Sequence, residues 1–519
     1  MRFGPAKPVL AMCTALACAA VACAAPALAV DRSLGAGVPK PVATGAPWTA
    51  AEISALDANV DIALATGTAL RGAHVGIYAI DARDGRVLYE RNQDDAFQPA
   101  STFKLLVASA ALDKLGPAFR FRTEAAIENT VVEGTLRGYL TLRGSGDVLL
   151  NDADLAGLPA ALRAAAIGEI EQDVAPDLTD EPHYLPGWSW DDFPWYYAAP
   201  ISALGFADDQ VTVTVKPGAR AGDPVTTTVD PWGKTYDDRG ACVVSEMAFC
   251  ITVRARTAAP GSASTLDALR APGPVPEVRI VGTIAADAKP EDLSLAVPHP
   301  PRFAAAAARR TLAAAGIRVR NRGFIVELRK TSDAAPRRVV WSHDSEPLHD
   351  LVADLLQPSD NMLAETLLRA LGAQPPALIG SSADGIAFEK TWLRTLGVDP
   401  AALAIDDGSG LSTYDRITPH VLVTVLKHDW DGPSRDVVLD ALPIAGVRGT
   451  LKNSYAGTPA EKKIFAKTGT VSHVSTLAGY AANAKHGAVI FAFLVDDWMG
   501  QSAALKDVRG RVLARFVED

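Results

Sequence analysis

The chain has 519 residues, 48% of them hydrophobic and 21% charged, with a formal net charge of −10. That length predicts two or three domains, and the balance is that of a protein with a packed core, which excludes a disordered chain. An acidic surplus without a basic run excludes a nucleic-acid surface, and nine scattered histidines with no HExxH argue against a zinc site.

The chain opens on MRFGPAKP, with Arg2 and Lys7, and continues as VLAMCTALACAAVACAAPALA, uncharged and ending in Ala27-Leu28-Ala29. A basic n-region, an apolar h-region and a small-x-small cleavage site predict a signal peptide over residues 1–29 and an exported chain starting near Val30. Two other readings stay open. The stretch is roughly long enough for a retained anchor, and Cys18 or Cys23 is a candidate for lipid attachment, although neither has leucine three positions earlier. Losing the leader takes the net charge to −12 and leaves Cys242 and Cys250 as the remaining cysteines. In an exported chain these two are expected to bridge, with buried free thiols as the alternative.

Residues 31–47 are rich in Gly and Pro and read as a flexible lead-in. TAAEISALDANVDIALA has helical spacing, with Thr49 as N-cap and Glu52 completing a capping box. HVGIYAID, a turn at ARDG and RVLYERN read as a hairpin. STFKLLVASAALDKLG reads as a helix stopped by Gly116-Pro117. From about 120 to 340 the texture turns strand-like: LRGYLTLRGSGD, QVTVTV and PVTTTVD, with an aromatic loop, HYLPGWSWDDFPWYYAAPISAL, among them. GKT at 233–235 mimics the end of a phosphate loop, but Thr228 stands where the first glycine belongs, so it reads as a turn. An alanine-rich helix, RFAAAAARRTLAAAGI, and a strand, GFIVEL, precede renewed helical texture in EPLHDLVADLLQPSDNMLAETLLRAL. KTGTVSHVSTLAGYAANAKHGAVIFAFLVDD reads as two antiparallel strands, the second apolar on both faces and so central to a sheet. SAALKDVRGRVLARFVE reads as a closing helix. Helix–hairpin–helix at one end and hairpin–helix at the other predict a single domain built from both ends of the chain around an insertion.

The chemistry lies in three short motifs. Ser101 and Lys104 stand one helical turn apart in STFK, so their side chains share a face. A serine needs a base, and the chain has no GxSxG elbow to support a Ser–His pair. A desolvated lysine in an apolar helix can serve. S-x-x-K alone is a weak signal. SDN at 359–361 and KTG at 467–469, followed by Thr470, complete the set, each motif occurring once and in the order serine–lysine acyl enzymes use.

With these motifs the chain resembles the penicillin-recognising serine enzymes, and more narrowly the class C low-molecular-mass penicillin-binding proteins, which are D-alanyl-D-alanine carboxypeptidases and endopeptidases. GSGD at 144–147, PGWSWDD at 186–192, YAAPISAL, DGSGLS at 407–412 and LPIAGVRGTL at 442–451 carry the closer match, which spans about 50 to 519. Val148 stands where the family often has proline. The resemblance implies an α/β (α+β) fold: a β-lactamase/transpeptidase-like domain with an antiparallel sheet flanked by helices, split by a strand-rich insertion. The expected partition is 30–120 and 343–519 for the catalytic domain, 121–147 and 240–342 for accessory domain II, and 148–239 for a nested domain III.

It further implies that Ser101 attacks a D-Ala-D-Ala peptide while neutral Lys104 takes its proton, Ser359 relays a proton to the departing D-alanine, and Asn361 fixes Lys104 and the substrate amide. Lys467 keeps the site electropositive, lowers Lys104's proton affinity and, with Thr468, Gly469, Thr470 and Ser472, binds the substrate; the N–H groups of Ser101 and Thr470 form the oxyanion hole. WSWDD either brings Asp191 or Asp192 to an amino group of the stem peptide, Asp192 being preferred, or packs Trp188 and Trp190 in the core with solvated aspartates. DGSGLS either lines the cleft near KTG or is a structural turn, and LPIAGVRGTL is a scaffold loop. No cofactor or metal is implied. The expected partners are peptidoglycan stem peptides and β-lactams as covalent inhibitors, with no nucleic acid, no membrane domain after leader removal, and a periplasmic or wall-associated location. A serine β-lactamase and an idle wall-binding protein are the alternatives.

Overall fold

The structure is a computed structural model, and it describes residues 30, 38–66, 68–177, 181–231, 234–236, 250–271, 277–320, 337–374 and 377–518. The leader, GFIVEL and Cys242 lie outside the described residues; Cys250 is disulfide-bonded. Among the described residues no helix is long and apolar enough to cross a membrane.

Both ends of the chain meet in one five-stranded antiparallel sheet, in the order Val87–Arg91, His74–Asp81, Gly487–Asp496, Val474–Asn483, Ile464–Val471. The C-terminal stretch makes three strands where two were expected. Lys467 therefore lies midway along an edge strand that starts at Ile464 rather than opening one. The central strand shows why its sequence is apolar throughout. Val489, Phe491, Phe493 and Val495 pack with residues of the helices Ala50–Ala65 and Ser502–Glu518, while Ile490, Ala492 and Leu494 pack with those of Lys104–Leu115 and Pro419–Asp431. Strand alternation sends successive side chains to opposite faces, and both faces are covered. The first helix carries the expected capping box, with Thr49 accepting from Glu52 N and Thr49 N donating to Glu52 Oε2 at 2.8 Å.

A second core belongs to the insertion and is built on the helix Pro300–Ala314, whose buried alanines let strands approach closely. The sheets of the insertion pair strands across the expected sections. Val174–Pro176, expected in the nested section, pairs with Leu140–Gly144 in the sheet that also holds Arg122–Ile127 and Arg338–Asp344. Gln210–Lys216 pairs with both Thr226–Asp230 and Glu291–Ala296. Such pairings join residues far apart in sequence, and periodicity carries no record of them. Lys234–Tyr236, part of the expected turn, is an edge strand.

Candidate active site

Ser101 lies in a 3-10 turn, Ala100–Phe103, that runs into the helix Lys104–Leu115, and Lys104 Nζ reaches Ser101 Oγ at 2.9 Å. Ala100 holds φ at +44°, a left-handed value that is costly for alanine. Two glycines close on this turn from either side. A Cβ on Gly410, whose φ is +76°, would lie 1.9 Å from the Ala100 carbonyl oxygen. A Cβ on Gly469 would lie 2.2 Å from Thr476 Oγ1 and 2.9 Å from both Pro99 O and Ser101 N. Glycine is therefore the residue that lets the edge strand pass against the nucleophile turn.

Lys104 is fully buried. Its Nζ donates to Asn361 Oδ1 at 2.6 Å and to the Ser409 carbonyl at 2.9 Å. Both oxygens can only accept, so they hold two of the amine's hydrogens. In the neutral amine the lone pair is then left facing Ser101, the neighbour with a proton to give. Burial pulls the Lys104 pKa down to about 8, against the opposing pull of Asp407, Glu365 and Asp360.

Asn361 begins the helix Asn361–Leu371, capped by Asp360, whose carboxylate accepts from Leu363 N at 2.9 Å. Ser359 just before it has φ +71°. Lys467 Nζ donates to Ser359 Oγ at 2.8 Å and to the Thr468 carbonyl at 2.7 Å. Lys467 is fully buried, and burial first, the charge of Lys104 second, hold its pKa well below the usual lysine range. The structure thus brings Ser101, Lys104, Ser359, Asn361 and Lys467 together from a helix, a loop and an edge strand. Desolvation is what lowers the proton affinity of Lys104.

The remaining candidates are placed less uniformly. Thr468 Oγ1 pairs with Thr450 Oγ1 at 2.7 Å, Gly469 is buried, Thr470 is exposed, and Ser472 sits exposed in the turn that follows. Thr450 belongs to the loop 442–451, so that loop touches the KTG strand. Asp192 accepts from Tyr197 Oη at 2.9 Å, and burial raises its pKa. The Tyr197 carbonyl accepts from Asn361 Nδ2 at 2.8 Å, so one N–H expected to be free for substrate is already engaged. Trp188 is buried, with Nε1 donating to Asp407 at 2.9 Å, whereas Trp190 is 56% exposed and not a core residue.

DGSGLS packs against Lys104 through the Ser409 carbonyl. Its fold is dictated by two buried carboxylates: Gly408 N and Ser409 N donate to Glu365 at 3.0 and 2.8 Å, and Gly410 N and Ser412 N donate to Asp407 at 2.7 and 2.6 Å. These bonds aim the Ser409 carbonyl at Lys104. Glu365 and that carbonyl escape motif reading. The available signal was a lone glutamate one turn beyond Asn361 in an otherwise apolar helix face. Among the described residues no group of three or more His, Cys, Asp or Glu is placed to hold a metal ion.

The pattern of the D-Ala-D-Ala carboxypeptidase 3 (S13) family matches residues 56–515. A D-alanyl-D-alanine carboxypeptidase of Actinomadura sp. (strain R39) is 33% identical over 443 residues, covering 83% of this chain and 79% of that protein. D-alanyl-D-alanine carboxypeptidase DacB of Haemophilus influenzae is 25% identical over 451 residues, covering 85% and 89%. The crystal structure of penicillin binding protein 4 from H. influenzae superposes with a TM-score of 0.73 at 24% identity, covering 90% of this chain and 99% of that one.

Proposed function

This chain belongs to the D-Ala-D-Ala carboxypeptidase 3 (S13) family, and on that premise we propose that Ser101 is its acylated nucleophile and Lys104 the base that activates it. The chain is a serine-type D-Ala-D-Ala carboxypeptidase on a β-lactamase/transpeptidase-like fold. The observation that carries the assignment is Lys104 Nζ, held by Asn361 and Ser409 with its third direction on Ser101 Oγ at 2.9 Å.

Ser101 Oγ attacks the carbonyl carbon of the penultimate D-alanine, and its proton passes to the lone pair of Lys104. Backbone N–H groups of Ser101 and Thr470 hold the oxyanion, a contribution of about 3–4 kcal/mol per donor. The peptide bond breaks, the leaving D-alanine nitrogen takes a proton through Ser359, and an ester on Ser101 remains for water to cleave. Lys467 receives the substrate's terminal carboxylate together with Thr468 and Thr470. An anion there favours the ammonium form and lifts the Lys467 pKa back from its depressed value. A β-lactam offers the same carbonyl in a ring, so its leaving group stays attached and the ester persists. The substrates are peptidoglycan stem peptides, with Ser472 among the residues that bind them and Asp192 meeting an amino group of the stem peptide, and residues 1–29 direct export to the wall side of the membrane.

The test is Ser101→Ala assayed with a D-Ala-D-Ala peptide and a fluorescent penicillin. Loss of both turnover and labelling is expected, and retained turnover refutes the assignment. Rapid hydrolysis of a chromogenic cephalosporin by the parent enzyme, in place of stoichiometric acylation, points to a β-lactamase instead.

A further inference from the structure

The turn that presents Ser359 and Asn361 is gripped by the insertion as well as by the catalytic domain. Ala207, Asp208 and Asp209 have φ of +52°, +55° and +51°, three consecutive residues other than glycine in the left-handed region. Each such residue is strained and persists only where its surroundings fix it. The turn is fixed by Ala207 N and Asp208 N donating to the Leu150 and Val148 carbonyls at 2.8 Å, and by Val297 N donating to the Asp209 carbonyl at 2.8 Å. Its product is the position of one side chain. Asp208 Oδ2 accepts from Gln210 Nε2 at 2.8 Å, while Oδ1 is buried with no N–H to accept. The carboxyl of Asp360, the middle residue of SDN, lies within hydrogen-bonding reach of Asp208.

Two ionised carboxylates at that separation repel, and a single proton held between them turns the repulsion into a hydrogen bond. We propose that Asp208 is a positioning residue of the carboxypeptidase site: a proton shared between Asp208 and Asp360 ties the insertion to the turn that presents Ser359 and Asn361. The inference rests on the assignment of that turn to the active site. The other groups facing the pair agree with one retained proton. Asp209 is a further carboxyl beside Asp208, its own pKa pushed well up by burial, and Lys104 is the cation near Asp360. Burial raises the proton affinity of both acids. Asp360 also caps the helix that starts at Asn361, so its displacement moves the residue that holds Lys104.

The test compares Asp208→Ala with Asp208→Asn. The amide of the Asn variant donates an N–H where the shared proton stood; the Ala variant supplies nothing. With a D-Ala-D-Ala peptide at neutral pH, Asp208→Ala is expected to lower kcat about tenfold or more while KM stays within about threefold, and Asp208→Asn to bring kcat back within about threefold of the parent. A folded Asp208→Ala protein with parental kcat, or an Asn variant no better than the Ala variant, overturns the proposal. If the Ala variant does not fold, the melting temperatures of the parent and of Asp208→Asn are compared from pH 5 to pH 9. The folded pair keeps a proton that the unfolded chain has already lost, so the parent should lose stability relative to Asp208→Asn as pH rises. A difference that does not change with pH overturns the proposal. Ser101→Ala separates the two readings: it must be inactive whatever Asp208 does, and activity there refutes the site itself.

Discussion

Replacing Asn361 by Asp tests the lysine-base mechanism at its most sensitive point. The substitution puts a carboxylate where an amide oxygen now lies 2.6 Å from Lys104 Nζ. With its pKa at about 8, Lys104 is roughly one-tenth neutral at pH 7. An opposite charge in contact raises a lysine by about 1–3 units, so a shift of two units, about 2.7 kcal/mol, cuts the neutral fraction at pH 7 about 100-fold. The assay is the rate of acylation by a penicillin, followed from pH 6 to pH 11 in the parent and in Asn361→Asp. The acid limb of the profile should move up by about two units, with much of the lost rate recovered near pH 10. Geometric damage alone, through the Asn361–Tyr197 contact, lowers the rate at every pH. An acid limb that stays where it was refutes Lys104 as the base.

Gly469→Ala places a methyl group 2.9 Å from Ser101 N and 2.2 Å from Thr476 Oγ1, so the strand or the nucleophile turn must shift; a displacement near 1 Å costs about 100-fold in acylation rate, with little change in melting temperature. Lys467→Met removes the charge that receives the terminal carboxylate, and peptide kcat/KM should fall by about 100-fold or more. A slow acylation by penicillin esterified at its carboxylate, which never used that charge, should survive the same change. Thr49→Ala removes a capping box far from the site and should cost about 1 kcal/mol of stability in denaturant unfolding while leaving kcat intact.

What the sequence makes legible follows the range over which each interaction acts. Ser101 and Lys104 are one helical turn apart, so their contact is fixed by local geometry and can be read from four letters. The capping box at Thr49–Glu52 and the stop at Gly116, where φ is +80°, are equally local. The convergence of SDN and KTG on that pair was inferred from order and resemblance, because no periodicity relates residue 101 to 359 or 467. The backbone partners were invisible. The carbonyls of Ser409 and Tyr197 belong to no residue type, and their direction depends on Glu365, Asp407 and a chain path closed through space. The short strands of the insertion are illegible for the same reason. A two- or three-residue strand such as Val174–Pro176 leaves no alternation to detect, and its partner is chosen by the sheet it joins.

The acids behind Lys104 also set the limits within which the base can work. Complete burial alone would leave a lysine neutral and too weak to keep a proton through a tetrahedral intermediate. Asp407, Glu365 and Asp360 pull the other way, and the balance settles at about 8. At that value the amine is neutral often enough to accept the Ser101 proton, and its ammonium is acidic enough to return it within one turnover. Asp407 and Glu365 reach Lys104 without touching it. Both accept from the amides of the 408–412 turn, Asp407 from Trp188 Nε1 as well, and the carbonyl of that same turn accepts from the lysine. The same bonds therefore fix where the amine sits and how tightly it holds a proton. A mutation in this turn that leaves Ser101 and Lys104 intact should alter the position and the pH dependence of the reaction together.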